Sequence, residues 1–286
     1  MRTQTLLIAA AGALAAVITS SQAQTVYSQN VVGYVNTAIP GGYAFTLINN
    51  PLNGTTNGAE QVMPGLTGGE SIYIWNGSGY YVYNYAGPTV GTSAGFQSDW
   101  VDGSAQPPAA PTIPGDQKDT SNFGVYWAPQ PILTPGEGFF VQNPNGNETN
   151  TFTGTVVTTN SQTVSGGYAY SMLASAIPVG GNAETNSALN LTANFQGGEL
   201  VFVWNGSGYY VYDYAGANVG TGAGFQSDWV DGSAQPPAAP TIPGDQKDTS
   251  NFGVYWAPPL QLSVGQGIFI QNPNSSENWS QTITNL

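Results

Sequence analysis

Apolar and polar residues alternate with a period of two in many short stretches of this chain. In residues 71–75 (SIYIW) and 80–85 (YYVYNY) this alternation flanks the tetrapeptide NGSG at 76–79. Asn and Gly there favour the positive φ angles of a tight turn between antiparallel strands. The pattern predicts a β-hairpin over residues 71–85.

Comparable runs recur along the chain, separated by Gly, Pro, Asn and Ser. No stretch outside the first 23 residues shows the 3.6-residue period of a helix. We therefore predict an all-β fold of two tandem antiparallel β-sandwich-like repeats, with small β-barrels as the alternative. The further predicted strands are 31–35, 43–48, 124–127, 138–142, 150–157, 168–173, 199–204, 209–214, 253–256, 267–271 and 281–284.

The chain contains an internal duplication. Residues 94–129 return unchanged as residues 223–258, and the same offset of 129 relates Trp75 to Trp204 and Asn145 to Asn274. We predict a first repeat at 24–157 and a second at 158–286, with a short polar linker at 158–162. The unchanged tract is predicted to be mostly loop, and it is either the product of a recent duplication or a binding loop displayed twice.

The N-terminus has the pattern of a secretory signal peptide at 1–23. Arg2 precedes an apolar run at 6–18, and Ser21 and Ala23 place small residues at a cleavage site. That run is shorter than the roughly 20 residues that span a bilayer. We expect a secreted chain at the cell surface, in the extracellular space or in the periplasm, with no membrane insertion after the signal is removed.

The charge balance excludes several kinds of partner. The chain has 3 Lys and Arg against 16 Asp and Glu, a formal charge of −13. Removal of Arg2 leaves two cations, Lys118 and Lys247, against the same 16 acids, a formal charge of −14. Nucleic acids are bound through many Lys and Arg contacts to phosphates, so we expect no nucleic-acid partner.

Much of the common catalytic chemistry is also excluded. The chain contains no His and no Cys, so it has no Ser-His-Asp triad, no thiolate nucleophile and no His or Cys zinc ligand. Opposed carboxylates that cleave glycosidic bonds remain as an alternative. However, Glu137 corresponds to Gln266, and Asp213 corresponds to Asn84. We expect a protein without enzymatic activity, with a carboxylate glycosidase as the least favoured alternative.

The unchanged tract holds closely spaced acids that suggest a calcium site. Hard cations take oxygens from carboxylates and carbonyls, and SDWVDGS and PGDQKDTSN each supply two carboxylates. Asp beside Gly and Ser is equally typical of turns. No cofactor other than calcium is a candidate. The candidate ligands are Asp99, Asp102, Asp116, Asp119, Asp228, Asp231, Asp245 and Asp248.

Aromatic side chains form the second candidate site. Tyr and Trp are common in strands for packing reasons, but exposed rings can also stack on sugar rings. Trp100 and Trp229 lie in the predicted loop, where they have the least packing role, and Tyr81 and Tyr210 lie on strands. These four are the predicted sugar-stacking residues.

Three segments carry a resemblance to known proteins: NVVGYV at 30–35, WNGSGYYVY at 75–83 and PGEGFFVQNP at 135–144. Together they resemble a family of secreted, tandemly repeated β proteins of environmental Gram-negative bacteria. The resemblance implies export and a β fold, with no assigned activity and no catalytic residues. The second repeat departs from it at VGQGIFIQNP.

These observations predict an exported, non-enzymatic structural or adhesive protein of the cell surface or extracellular matrix that self-assembles. Open strand edges and a low density of charge favour strand-to-strand association. The alternative is a bivalent carbohydrate-binding module, whose two weak sites would gain avidity on an extracellular polysaccharide.

Overall fold

A computed structural model describes residues 31–104, 110–121, 124–233, 239–249 and 253–284. The predicted signal peptide lies outside the described residues. Within them, no helix is both long and apolar enough to span a membrane. The described chain from Val32 onward forms one compact unit made mainly of short antiparallel strands.

Strands in the first repeat occupy most of the predicted positions, and further short strands lie between them. These strands are β1 Val32–Ile39, β2 Ala44–Asn49, β3 Leu52–Asn53, β4 Ser71–Trp75, β5 Tyr80–Tyr85, β6 Trp100–Asp102, β7 Gln117–Lys118, β8 Tyr126–Ala128, β9 Gly138–Asn143 and β10 Glu148–Val156. One-turn helices occur at α1 Ala59–Val62 and α2 Val90–Ser93.

The second repeat follows the same order, with 3₁₀ turns at Leu191–Asn194 and Thr221–Ala223. Its strands are β11 Thr159–Val164, β12 Ala169–Ala174, β13 Gly181–Asn182, β14 Leu200–Trp204, β15 Tyr209–Tyr214, β16 Trp229–Asp231, β17 Gln246–Lys247, β18 Tyr255–Trp256, β19 Gln261–Leu262, β20 Gly267–Asn272 and β21 Glu277–Thr282.

Each repeat is built on a seven-stranded antiparallel sheet. The strand order is β2-β9-β4-β5-β6-β8-β7 in the first repeat and β12-β20-β14-β15-β16-β18-β17 in the second. Because the duplicated sequence carries the same turns and the same alternation, it produces the same topology twice. Among the described strands no sheet closes on itself, so the sandwich-like prediction is confirmed and the barrel alternative is wrong.

Smaller sheets cover each seven-stranded sheet. They have the orders β1-β10-β3 in the first repeat, and β11-β21 and β13-β19 in the second. The predicted linker is wrong, since most of it lies in β11, where Thr159 pairs with Thr282. The strand was missed because both of its faces are polar: Gln162 turns inward and donates to the Ala174 carbonyl (2.9 Å), while Ser161 is exposed.

Two separate hydrophobic cores stabilise the two repeats. The first is built around Trp100, Phe139 and Phe152, and the second around Trp229 and Trp279. These five side chains are fully buried or nearly so, and burial of each large apolar side chain contributes roughly 1.5–3 kcal/mol. A third cluster draws on both repeats and is described with the candidate site.

Candidate functional site

The first acid of the unchanged tract anchors a neighbouring turn. The buried Asp99 accepts hydrogen bonds from the Thr89 (2.9 Å) and Thr92 (2.8 Å) backbone N–H groups. In the second repeat, Asp228 accepts from the Thr221 backbone N–H (2.9 Å) in the same way. Both carboxylates therefore bind the protein's own backbone.

The next two acids of the tract form a carboxyl pair. Although burial alone would raise the pKa of Asp102, hydrogen bonds from the Thr112 N–H (2.7 Å) and hydroxyl (2.8 Å) lower that pKa overall. Burial, together with the hydrogen bond to Asp102 and its negative charge, raises the pKa of Asp116 to about 7.

A proton shared between these two carboxyl groups explains the raised pKa of Asp116. Besides Asp102, the Ile113 backbone N–H faces the Asp116 carboxyl group and offsets part of the rise in its pKa. Two carboxyl groups can bond to each other only through a shared proton. The pair Asp231 and Asp245 is similar. Asp245 also accepts from the Ile242 backbone N–H (3.3 Å), and burial and Asp231 raise the pKa of Asp245 to about 7.

The predicted calcium site is wrong for the described residues, because the aspartates of a repeat are held by the protein's own groups, and two of them, Asp102 and Asp116, by each other. Asp119 accepts from the Ser121 N–H (2.8 Å) and hydroxyl (2.6 Å), away from the turn that Asp99 anchors. The described residues contain no group of three or more acids, His or Cys arranged to hold a metal ion. The corresponding predicted calcium ligands of the second repeat are Asp228, Asp231, Asp245 and Asp248.

The predicted sugar platforms at the two tract tryptophans are also wrong. The Trp100 and Trp229 side chains are 0% exposed. Strand β6 lies between β5 and β8 inside the sheet, so the Trp100 ring packs against Tyr85 at a centroid distance of 4.9 Å. The Trp100 indole N–H donates to Glu60 (3.0 Å). With no exposed ring face, neither tryptophan can stack on a sugar.

The predicted strand tyrosines Tyr81 and Tyr210 occupy a similar position. Both are half-buried and pack against the cores of their own repeats. In β5 the alternation places Tyr81 on the core-facing side together with Tyr83 and Tyr85, which are buried. The structure therefore assigns them to core packing and not to an exposed strip.

The opposite face of each hairpin meets the other repeat. The Trp75 indole N–H donates to the Tyr170 carbonyl (3.1 Å), and the Trp204 indole N–H donates to the Phe45 carbonyl (2.9 Å). These two contacts are equivalent under the duplication, because Trp204 corresponds to Trp75 and Tyr170 to Phe45. An interface that presents the same surface on both sides is isologous.

Backbone contacts follow the same two-fold relation. The Asn49 N–H donates to the Gly265 carbonyl (3.0 Å), and the Ala174 N–H donates to the Gly136 carbonyl (2.9 Å). Near Gly136, Glu137 accepts from the Thr134 hydroxyl (3.0 Å), with its pKa raised by burial. Glu137 therefore holds a turn at the interface.

A cavity of about 270 Å³ lies within this interface. Both repeats contribute rings to it, and none of its lining side chains is charged. The cavity is lined by Trp75, Tyr80, Tyr170, Phe202, Tyr209 and Phe269.

The cavity breaks the internal symmetry. Its rings Tyr170 and Phe202 correspond to Phe45 and Tyr73 in the first repeat. The Tyr73 hydroxyl donates to Gln142 (3.1 Å), whereas Tyr170 is 40% exposed. The exchange of Phe for Tyr between the copies therefore places a partly exposed phenol at one side of the cavity.

Burial keeps the Tyr80 and Tyr209 phenols of the cavity neutral at physiological pH. Burial, with a smaller contribution from Tyr80, raises the pKa of Tyr209 to about 12. Burial also raises the pKa of Tyr80. The cavity therefore offers aromatic faces and neutral hydroxyl groups, a chemistry suited to binding and not to proton transfer near pH 7.

One feature of the sequence indicates that this face of the hairpin is covered. Tyr80 alternates with the core-facing tyrosines, and both it and Trp75 recur at the offset of 129. When a strand carries aromatic side chains on the face opposite its core, that face is either covered by another surface or left exposed as an apolar patch. The sequence of one repeat does not identify the covering surface, because that surface belongs to the other repeat.

Comparisons of the chain with protein-family models, with curated proteins and with solved structures find no match.

Proposed function

We propose that this is an exported, non-enzymatic structural or adhesive protein of the cell surface or extracellular matrix that associates with copies of itself. The contact surface we assign is the outer face and free edge of the β1–β10 sheet. The single observation that supports this proposal is the uncharged, partly apolar character of that face.

The face combines exposed apolar groups with a row of threonines. Val32 is 60% exposed and Tyr34 is 74% exposed. Strand β1 lies at the edge of its sheet and contains no charged residue. The neighbours that β1 pairs with across this face are Thr155, Thr153, Thr151 and Thr149.

Two other sheet edges are each protected by a lysine. The outermost strands β7 and β17 carry Lys118 and Lys247, whose ammonium groups lie 5.9 Å from the ring centroids of Tyr126 and Tyr255. Lysine on an edge strand opposes pairing with another chain. Strand β1 has no such charge, and its exposed Val32 and Tyr34 side chains favour association at this edge.

A second copy of the chain is the occupant that the charge distribution supports. Two chains of formal charge near −13 repel each other over most of their surfaces. An uncharged face is where that repulsion is weakest, and a cationic partner would gain nothing there. The bivalent sugar-binding alternative is weakened, because the Trp100 and Trp229 rings that were to stack on sugars are buried.

A single lysine substitution with a matched control tests the proposal. Tyr34→Lys places a charge on the β1 face, and Thr159→Lys places it at the equivalent exposed position of β11. We expect Tyr34→Lys to weaken self-association at least about tenfold in sedimentation velocity, because facing like charges cost several kcal/mol. Thr159→Lys should leave association unchanged.

Two results would contradict the proposal. One is a native chain that remains monomeric at high protein concentration and high salt. The other is equal association of native chain and Tyr34→Lys with circular dichroism showing both folded.

A further inference from the structure

We infer that the aromatic cavity between the repeats binds a small quaternary ammonium group. This inference is independent of the proposed self-association, because the cavity lies at the interface within one chain and β1 contributes no residue to it.

The rings form a continuous wall around the cavity. Trp75 meets Phe269 at a centroid distance of 5.7 Å and an interplanar angle of 88°, and Tyr209 meets Phe269 at 6.1 Å and 82°. Tyr170 packs on Phe202 at 5.7 Å. In such edge-to-face arrangements, neighbouring rings point in different directions, so that π faces and ring edges together line one open pocket.

A methylated cation matches the electrostatics of this wall. The negative potential of aromatic faces attracts cations, and cages of such rings are suited to quaternary ammonium groups. No lining side chain carries a positive charge that would oppose a cation. The formal charge of −13 draws cations toward the protein and repels anions.

The polar groups of the cavity argue against a neutral sugar. The lining side chains supply the hydroxyl groups of Tyr80, Tyr170 and Tyr209, while the Trp75 indole N–H already donates to the Tyr170 carbonyl. These three phenols offer fewer partners than a sugar has hydroxyl groups, so some sugar hydroxyls would lose their hydrogen bonds to water without replacement. A quaternary ammonium group has no N–H or O–H to satisfy.

The size of the cavity fits a headgroup better than a larger molecule. Its volume of about 270 Å³ lies below the roughly 300–1,000 Å³ of sites for drug-sized ligands. A quaternary ammonium group could come from a free compound such as choline or from a phosphocholine lipid headgroup.

Calorimetric titration of the native chain with choline tests the charge dependence. The control ligand is 3,3-dimethylbutan-1-ol, which has the same shape with carbon in place of the charged nitrogen. We expect choline to bind at least about tenfold more tightly, within the range of a desolvated cation–π contact. No choline binding, equal binding of the neutral isostere, or preference for methyl glucoside would overturn the inference.

Two matched variants locate the binding. Tyr170→Leu removes a partly exposed ring of the cavity, and Phe45→Leu removes its counterpart, which does not line the cavity. We expect about a tenfold loss of choline affinity for Tyr170→Leu and no change for Phe45→Leu. Equal effects would overturn the inference. If Tyr170→Leu fails to fold, the comparison of choline with its isostere on the native chain still decides.

Cosedimentation with phosphatidylcholine vesicles separates the two sources of the cation. Binding to vesicles that free choline inhibits supports a lipid headgroup, and choline binding without vesicle binding supports a free cation. Vesicle binding that choline does not inhibit would overturn the assignment to this cavity.

Discussion

Single acidic residues in the repeated tract act as internal hydrogen-bonding groups. Asp99 accepts from the backbone of a turn, and Asp102 accepts from Thr112. Burial and the neighbouring Asp102 raise the pKa of Asp116 to about 7, which a proton shared with Asp102 explains. The sequence predicted that these acids would be important in the loop, but the spacing of carboxylates does not distinguish a cation ligand from a backbone acceptor.

The carboxyl pairs predict an unusual dependence of stability on pH. The pKa values of Asp116 and Asp245 are raised from 3.8 to about 7 in the folded chain. Between these limits the folded state binds more protons than the unfolded state, so the free energy of unfolding decreases as pH rises from about 4 to about 7. Glu277, with its pKa also raised to about 7 by burial and Glu199, adds to the decrease.

Denaturant unfolding at several pH values measures this effect. We expect the double variant Asp116→Asn, Asp245→Asn to remove much of the decrease between pH 4 and pH 7, and Glu277→Gln to remove part of the remainder. The lowered pKa of Asp102 acts in the opposite direction only below about pH 4. A native stability that rises steadily from pH 4 to pH 7 would contradict the shared proton.

At the scale of elements, close packing in the tract depends on a glycine. In helix α2, a Cβ on Gly91 would overlap the Ser98 carbonyl oxygen and the Trp127 ring. Its counterpart Gly220 has the same contacts in the second repeat. The helix can therefore approach the strand that carries Trp127 only if this residue has no side chain.

Gly91→Ala should destabilise the chain. Overpacking of a rigid contact costs about 1–3 kcal/mol, and we expect a loss of that size in the free energy of unfolding. The matched control is Gly146→Ala, because a Cβ there has no neighbour within 4 Å. Equal stability of the two variants in chemical denaturation would show that the tract is loosely packed.

The elements differ in how far the sequence predicted them. The hairpin at 71–85 is confirmed, because strong alternation flanks a turn in which Gly77 has a φ of +96° and Asn76 accepts from the Gly79 N–H (2.9 Å). Strand β6 was missed because it has three residues within a polar, Pro-rich tract. The cavity was missed because its walls come from two repeats, and pairing between distant segments is not visible in either one.

At the scale of the whole molecule, duplication produces both the fold and the interface. Two copies of one surface face each other, so the Trp75 and Trp204 contacts have the same geometry. The third hydrophobic cluster, which includes Leu47, Phe140 and Met172, joins the repeats through side chains of both. The chain as a whole is acidic, and β1 presents an uncharged face with exposed Val32 and Tyr34.

Sedimentation velocity of the chain without residues 1–23, over a range of salt and protein concentrations, tests this account most directly. Raising ionic strength from about 0.01 M to about 1 M shortens the screening length from roughly 30 Å to roughly 3 Å. Repulsion between acidic surfaces then weakens, while contact between uncharged faces persists. We predict reversible association that strengthens with salt and that Tyr34→Lys weakens at least about tenfold. A chain that stays monomeric throughout, or that associates only at low salt, would contradict the account.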